Sequence, residues 1–406
     1  MKCRHCSSSD FVPFIDLGVQ PPSNAYLSNE NAPEIRFPLQ VLTCTCCWLT
    51  QTRDFVGRES LFTPDYAYLS SVSLSWVKHC ADFVDAATRR FNLRGDSMVG
   101  EIASNDGYLL QHVAAKKIPC FGVEPTTLAA GIARAKGLYV IEEFFGRALA
   151  QRLIDTGYAA DLLIANNVLA HVPDVNDFVG GMRTLLKPHG VATFEFPYLG
   201  ELVSKRQFDT IYHEHYSYFS LSAAARIFES QDLEIFDVEW LGTHGGSLRV
   251  YAQRRDVGQY PRHASVEQLL TRERTEGMET AGYYTSLQKG AEMVRAQMLS
   301  FLEKAASSAA RIVAYGAAAK GNTLLNFAGI QSDTIPYVVD RNPNKIGKFL
   351  PGSRIPIVSE DHLRSHRPSW VLILPWNLAD EIASQLAYVR AWNCGLVTMI
   401  PELKIL

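Results

Sequence analysis

Short, predominantly apolar runs of four to seven residues recur between longer helix-patterned stretches, and they do so in two separate series along the chain. MVGEI, CFGVE, LYVI, DLLIA and VATFEFP form the first series, between Ser97 and about Arg255. RIVAYG, TIPYVVD, WVLIL and CGLVTMI form the second, beyond residue 309. Runs of this length without period-two alternation predict strands buried on both faces, hence parallel sheets covered by helices on either side. The expected fold class is α/β, with two doubly wound sheets.

A chain of 406 residues exceeds what one core usually organises, and shifts in character divide it. Residues 1–60 carry cysteine, proline and serine with little helical periodicity, as in a small metal-stapled unit. Residues 61–258 hold the first sheet. There DLEIFDVEWLG and THGGSLRVYAQ, two strand-like runs parted by Gly-Gly, predict an antiparallel hairpin at the sheet edge. Residues 259–308 have few breakers and read as a helical connector; 309–406 form the second, smaller domain.

The net charge of -3 and 20% charged residues carry no basic excess, so nucleic acid is not an expected partner. MKCRHCSSSD has no apolar run behind its basic residues, and no apolar stretch reaches the roughly 20 residues a bilayer requires. A cytoplasmic protein without a membrane partner is expected. Enclosure of a ligand between two domains would let a monomer suffice.

Five of the eight cysteines fall in the first 47 residues. Cys3-x-x-Cys6 and Cys44-x-x-Cys47 supply four thiolates as two short chelating pairs, the donor set of a tetrahedral structural zinc with no open position for catalysis. Cys46 competes with Cys47 for the fourth place.

Gly100-Glu101-Ile102-Ala103-Ser104-Asn105-Asp106-Gly107 ends the first apolar run, and a sharp turn through small residues brings backbone N–H groups close to a ligand. Glu124, in GVEPT at the end of the next run, stands where a carboxylate accepts the hydroxyls of a ribose. The pair fits a nicotinamide dinucleotide or S-adenosylmethionine. Glu101 favours the second, because an acid in the loop repels a pyrophosphate and suits a sulfonium with an amino group. Asn166 and Asn167 follow DLLIA, at the mouth of the expected crevice, with His171 a turn further on. On spacing alone, His171 is as readily a buried histidine satisfying a carbonyl as a functional one.

Asp209-Thr-Ile-Tyr212-His213-Glu214-His215-Tyr216-Ser-Tyr218 concentrates titratable groups in a few positions. Histidine suits proton removal near neutral pH, and the spacing is not the H-E-x-x-H of a zinc protease helix. Gly316-Ala-Ala-Ala-Lys320-Gly321-Asn322 follows RIVAY and precedes an apolar stretch, so its N–H groups and Lys320 suit a phosphate. It is no Walker A loop, because the lysine precedes the second glycine. Asp340, at the end of TIPYVVD, is placed to face a ribose.

CxxC near the start, E-x-x-S-N-D-G, Y-H-E-H-x-S-Y-F-S, H-G-G-S and Y-G-A-x-x-K-G-N, in that order over nearly the whole chain, resemble the nucleotide-sugar C-methyltransferase family. The resemblance implies an N-terminal zinc unit, a class I methyltransferase domain and a C-terminal Rossmann-like domain around a dTDP-linked 4-keto-deoxysugar, methylated at C3 by S-adenosylmethionine. It implies His215 as base, with Tyr212, Glu214 and His171 beside it and Tyr66, or alternatively Tyr68, in the substrate pocket. By the same likeness His244, Gly316, Lys320, Asn322 and Asp340 would hold substrate, and Glu101, Ala103, Ser104, Asn105, Gly107, Glu124, Asn166 and Asn167 the cofactor. Ala103 and Asn105 depart from the usual glycines of the methyltransferase loop, and His213 competes with His215 as base. The rival functions are an NAD-dependent nucleotide-sugar oxidoreductase, an O- or N-methyltransferase on a related sugar, and a zinc-ribbon adaptor without catalysis.

Overall fold

The computed structural model describes residues 1–53, 57–61 and 68–406. Three sheets organise them. The first is antiparallel: β1 (Phe11–Gln20), β2 (Phe37–Cys44) and β3 (Thr50–Thr52), joined by a fourth strand, β9 (Ser217–Tyr218), that the chain supplies much later.

The second sheet comprises β4 (Val99–Ile102), β5 (Cys120–Val123), β6 (Val140–Ile141), β7 (Ala160–Asn166), β8 (Leu186–Pro197), β10 (Leu233–Leu241) and β11 (Ser247–Arg254). Its order is β10-β11-β8-β7-β4-β5-β6, parallel from β4 to β8, with β11 antiparallel to both neighbours. This is the class I methyltransferase arrangement. The hairpin lies at the edge and enters the sheet by its second arm. Strand β4 is buried at every residue, as expected for a parallel strand covered on both faces.

The third sheet runs β14-β13-β12-β15-β16-β17: β12 (Ile312–Tyr315), β13 (Val338–Val339), β14 (Ile357–Val358), β15 (Trp370–Ile373), β16 (Gly395–Thr398) and β17 (Lys404–Ile405), all parallel except β17. β14 and β17 have two residues each, too few for an apolar run to announce them. Between the second and third sheets lie the helices Ala264–Thr275 and Leu287–Ser307. Glu273 of the first is fully buried, and its carboxylate accepts the Leu221 and Ser222 N–H groups at 2.6 and 2.8 Å, capping the helix Leu221–Ser230.

Ahead of β4 comes the helix Leu74–Arg90, whose N-cap Ser73 accepts from the Trp76 N–H. Its buried residues Cys80, Phe83, Val84 and Ala87 are spaced at three and four, one stripe turned to the sheet. A buried charge cluster anchors it there. Glu195, fully enclosed on β8, accepts from Arg249 at 2.6 Å, His79 at 2.9 Å and Thr243 at 2.8 Å. Burial opposes its ionisation, but His79 and Arg249 overcome that and hold its pKa at about 2.

Candidate active site

Where β4 turns into the following helix, Ala103 and Asn105 take φ of 58° and 47°. These are the positions where a glycine is usual, and the left-handed conformation costs an L-residue roughly 1–2 kcal/mol. Asn105 repays the strain with contacts: its N–H donates to Glu124 at 3.0 Å, its side chain accepts from the Ser70 N–H at 2.8 Å and donates to the Tyr68 carbonyl at 3.2 Å. Glu124 also accepts from the Thr126 N–H and hydroxyl. Gly107 has φ of 75°, and a Cβ there would lie 2.3 Å from Leu138.

Ala103, Asn105, Glu124 and Thr126 form one end of a cavity lined also by Ile102, Phe145, Phe178, Asn166 and Asn167. Asn166 is buried with both amide atoms unpartnered, two orphaned groups aimed where a polar ligand would satisfy them. Its walls carry two carboxylates, Glu124 and Glu143, and among the described residues no lysine or arginine. Glu143 pairs with Arg152 and burial raises the pKa of Glu124, so the wall offers a ligand carboxylate acceptors, with no cation among the described residues to hold a pyrophosphate. Glu101 does not belong to this wall. It lies within β4, fully enclosed, and burial raises its pKa well above the carboxylate range. Ser104 is likewise enclosed, packed against Gly122, and with Gly107 it shapes the floor without lining the cavity. The carboxylates at the cavity are therefore Glu124 and Glu143, not Glu101.

A second, wider cavity of about 850 Å³ adjoins the first, and the two share Tyr68, Trp76, Asn167 and His171 as walls. All three sheet domains contribute to it: Asn24 from the first, Thr210, Tyr212, His215 and His244 from the second, Lys320, Lys345 and Trp376 from the third. Gly245 makes the last approach possible, with φ of 94° and space for a Cβ only 2.3 Å from the Trp376 ring.

His215 is defined at both nitrogens. Its Nδ1–H donates to the Thr210 carbonyl at 2.8 Å, so Nε2 is the basic nitrogen and accepts from the Tyr212 hydroxyl at 2.7 Å. Burial, then the neighbouring His171 ring, pushes its pKa well below 6.5, which keeps it neutral at physiological pH. His171 packs edge-on against it, ring centres 4.6 Å apart, and burial lowers its pKa to about 4. His244 bonds Asn167 at 3.1 Å and is also lowered to about 4, by burial first and then Lys320. Lys320 lies near the Asn377 side chain at 3.1 Å and over the Trp376 ring, and burial lowers its pKa to about 8.

Several expected residues lie elsewhere. His213, the other histidine offered as base, does not line the cavity and packs against Phe37 of the first domain. Glu214 does not bond His215. Both its oxygens accept from the Asn24 side chain, at 2.9 and 2.8 Å, so it ties the first domain to the cavity rim. Gly316, Asn322 and Asp340 do not line the cavity: Gly316 turns against Pro375, Asn322 is buried, and Asp340 accepts from the Ala317 and Asn342 N–H groups. Tyr66 lies outside the described residues, whereas Tyr68 borders both cavities. Trp76, Phe145, Phe178, Glu143, Asn24 and Lys345 went unread in the sequence. Only Asn24, in the turn-forming Pro-Pro-Ser-Asn, carried a local signal.

The Sγ atoms of Cys3, Cys6, Cys44 and Cys47 lie within 4.8 Å of one another. A tetrahedral zinc with Zn–S of about 2.3 Å separates its sulfurs by about 3.8 Å, so the donor set fits. Cys46 is exposed and outside the cluster, which gives the fourth place to Cys47.

Family models match residues 3–62 as a zinc binding domain, 78–238 as a methyltransferase domain and 242–401 as a C-methyltransferase C-terminal domain. The C-methyltransferase NovU of Streptomyces niveus is 33% identical over 407 residues, covering 100% of this chain and 96% of its own. Among solved structures, the SAM-bound magnesium protoporphyrin IX methyltransferase of Synechocystis PCC 6803 aligns with a TM-score of 0.34 and 16% identity, over 44% of this chain and 79% of its own. A S-adenosylmethionine-dependent methyltransferase of Clostridium acetobutylicum gives 0.34 and 11%, over 44% and 92%. With end-to-end identity to NovU added to the carboxylate-lined cavity and the four-thiolate cluster, the chain belongs to the S-adenosylmethionine-dependent C-methyltransferase family, with a structural zinc at its N-terminus.

Proposed function

We propose that the protein methylates a carbon, C3, beside the ketone of a dTDP-linked 4-keto-deoxysugar. The observation that carries this reading is the junction of the two cavities at Tyr68, Trp76, Asn167 and His171, with the basic Nε2 of His215 on the wider side. A carbon nucleophile needs a base, and a carbon acid beside a ketone is weak enough to need its oxyanion stabilised as well.

Glu124, Asn105, Asn166 and Asn167 would hold S-adenosylmethionine, which would supply an electrophilic methyl group when bound. The rest of the chemistry falls to side chains. Nε2 of His215 takes the proton from the α-carbon, and Thr210 holds the ring in the tautomer that leaves Nε2 basic. The Tyr212 hydroxyl, raised well above its usual pKa by burial, stays protonated and turns to the developing enolate oxygen, with His171 beside it. The wider cavity is lined by Lys320, Lys345 and Lys404; Lys320 stands in the first turn of the helix Ala319–Ala328 and Lys345 donates to the Ala317 carbonyl just before it, which suits a nucleotide diphosphate.

Incubation with S-adenosylmethionine and a dTDP-4-keto-deoxysugar is expected to add one methyl group, located at C3 by NMR. A methyl found on oxygen or nitrogen, or turnover only with NAD(H), would overturn the reading.

A further inference from the structure

The first domain does more than stand beside the active site. β9 (Ser217–Tyr218), two residues after His215, is the edge strand of its sheet, with Thr50 opposite Tyr218 and Gln51 opposite Ser217. The Thr52 N–H donates to the Tyr216 carbonyl at 3.0 Å. The base is therefore carried on a segment whose backbone partners belong to the zinc unit.

The two residues inside the first cysteine pair reach further. Arg4 donates from its backbone to Gln51 at 3.0 Å and from its guanidinium to the Thr52 carbonyl at 3.2 Å, and it lies over the Tyr216 ring at 5.1 Å. His5 bonds the Asn176 side chain at 2.9 Å, and Asn176 donates back to the His5 carbonyl at 2.9 Å. Asn176 is the second residue of the helix Val175–Leu185, five residues after His171. The two gripped segments meet where the Tyr216 N–H donates to the Ala170 carbonyl at 2.7 Å.

We propose that the knuckle Cys3-Arg4-His5-Cys6 is a positioning device for catalysis: chelation fixes Arg4 and His5, Arg4 sets the His215 segment, His5 sets the His171 segment, and together they hold the two rings in register. Arg4 and His5 line neither cavity, so they act through Tyr216 and Asn176 and are positioning residues. A displacement of about 1 Å in reacting groups costs on the order of 100-fold in rate, which makes such a grip consequential. The effect on turnover rests on the proposed function; the effect on backbone order does not.

The test compares wild type with Arg4→Ala, Arg4→Lys and His5→Ala, all retaining the four thiolates. Zinc per chain is measured by elemental analysis, and amide hydrogen exchange is read over 212–218 without substrate. Kinetics give kcat and KM, and deuterium entry at the sugar α-carbon isolates the proton-transfer step. The expected result is full zinc, faster exchange at Tyr216 to Tyr218 in Arg4→Ala, an unchanged KM for S-adenosylmethionine, and kcat and deuterium entry lowered together by roughly 10- to 100-fold, with partial recovery in Arg4→Lys. Unchanged exchange and kcat with zinc retained would overturn the proposal. So would zinc lost in proportion to activity, because Arg4 would then serve only metal retention. If the wild type transfers no methyl group to the keto-sugar, the functional reading fails, and exchange over 212–218 still decides whether Arg4 positions the segment.

Discussion

Replacing His215, the proposed base, by Asn separates proton removal from everything else the site does. The Asn amide can still donate to the Thr210 carbonyl, as Nδ1 does at 2.8 Å, so the local backbone keeps its anchor. What disappears is the acceptor at Nε2, and the Tyr212 hydroxyl left behind borders the wider cavity, where water can reach it. The stability loss is therefore that of one hydrogen bond, about 1 kcal/mol. Turnover should lose what a positioned base contributes, roughly 10²- to 10⁴-fold, or about 3–5 kcal/mol in the barrier. Affinity for S-adenosylmethionine should stay within about two-fold, because His215 lines the wider cavity and not the narrow one. Titration calorimetry measures the affinity, and methyl transfer plus deuterium entry at the sugar α-carbon measures the chemistry. Activity within ten-fold of wild type would refute His215 as base, and a collapse of cofactor affinity would refute the division of the two cavities.

Acid should destabilise the fold below neutrality. His171 and His244, each lowered to about 4 by burial, stay neutral while the unfolded chain takes up protons below about 6.5, so stability falls as pH drops from about 6.5 towards 4. On the order of 2 kcal/mol per histidine is lost by about pH 5, partly offset by Asp209, which burial raises to about 6, so Tm should fall less between pH 7.5 and 5 in His244→Asn than in wild type; an equal fall in both would contradict it. Gly245→Ala forces a Cβ against Trp376 at a backbone angle unfavourable for alanine, and should cost about 2–4 kcal/mol in denaturant melts and raise KM for the proposed sugar-nucleotide substrate. Cys47→Ser should lose zinc on dialysis, whereas Cys46→Ser should retain one zinc per chain, as elemental analysis would show.

What was legible in the sequence was what local pattern controls. β4, β5, β7 and β8 are apolar runs because both faces are covered, and the cysteine pairs announce their metal because chelation needs short spacing. Tertiary contact decided what was missed. Glu101 sits one residue short of the loop in structural terms, inside β4, so its charge never meets the cavity. Glu214 is adjacent to His215 in sequence, yet consecutive residues point to different partners, and its partner is Asn24, 190 positions earlier. Trp76 borders both cavities from a helix whose apolar stripe, read alone, is ordinary core packing. Ala103 and Asn105 are departures from a motif that the backbone absorbs, with φ positive at both.

The partnership of β3 with β9 also orders events during synthesis. The Thr52 hydrogen bond to Tyr216 spans 164 positions, so the first domain leaves the ribosome without its edge strand. At typical elongation rates that interval lasts on the order of 10–30 s. Throughout it, the free edge of β3 and the apolar face behind it stand open to other chains. A nascent-chain partner that shields that edge, or zinc arriving early enough to stiffen it, would be felt as yield of folded protein rather than as any property of the finished enzyme.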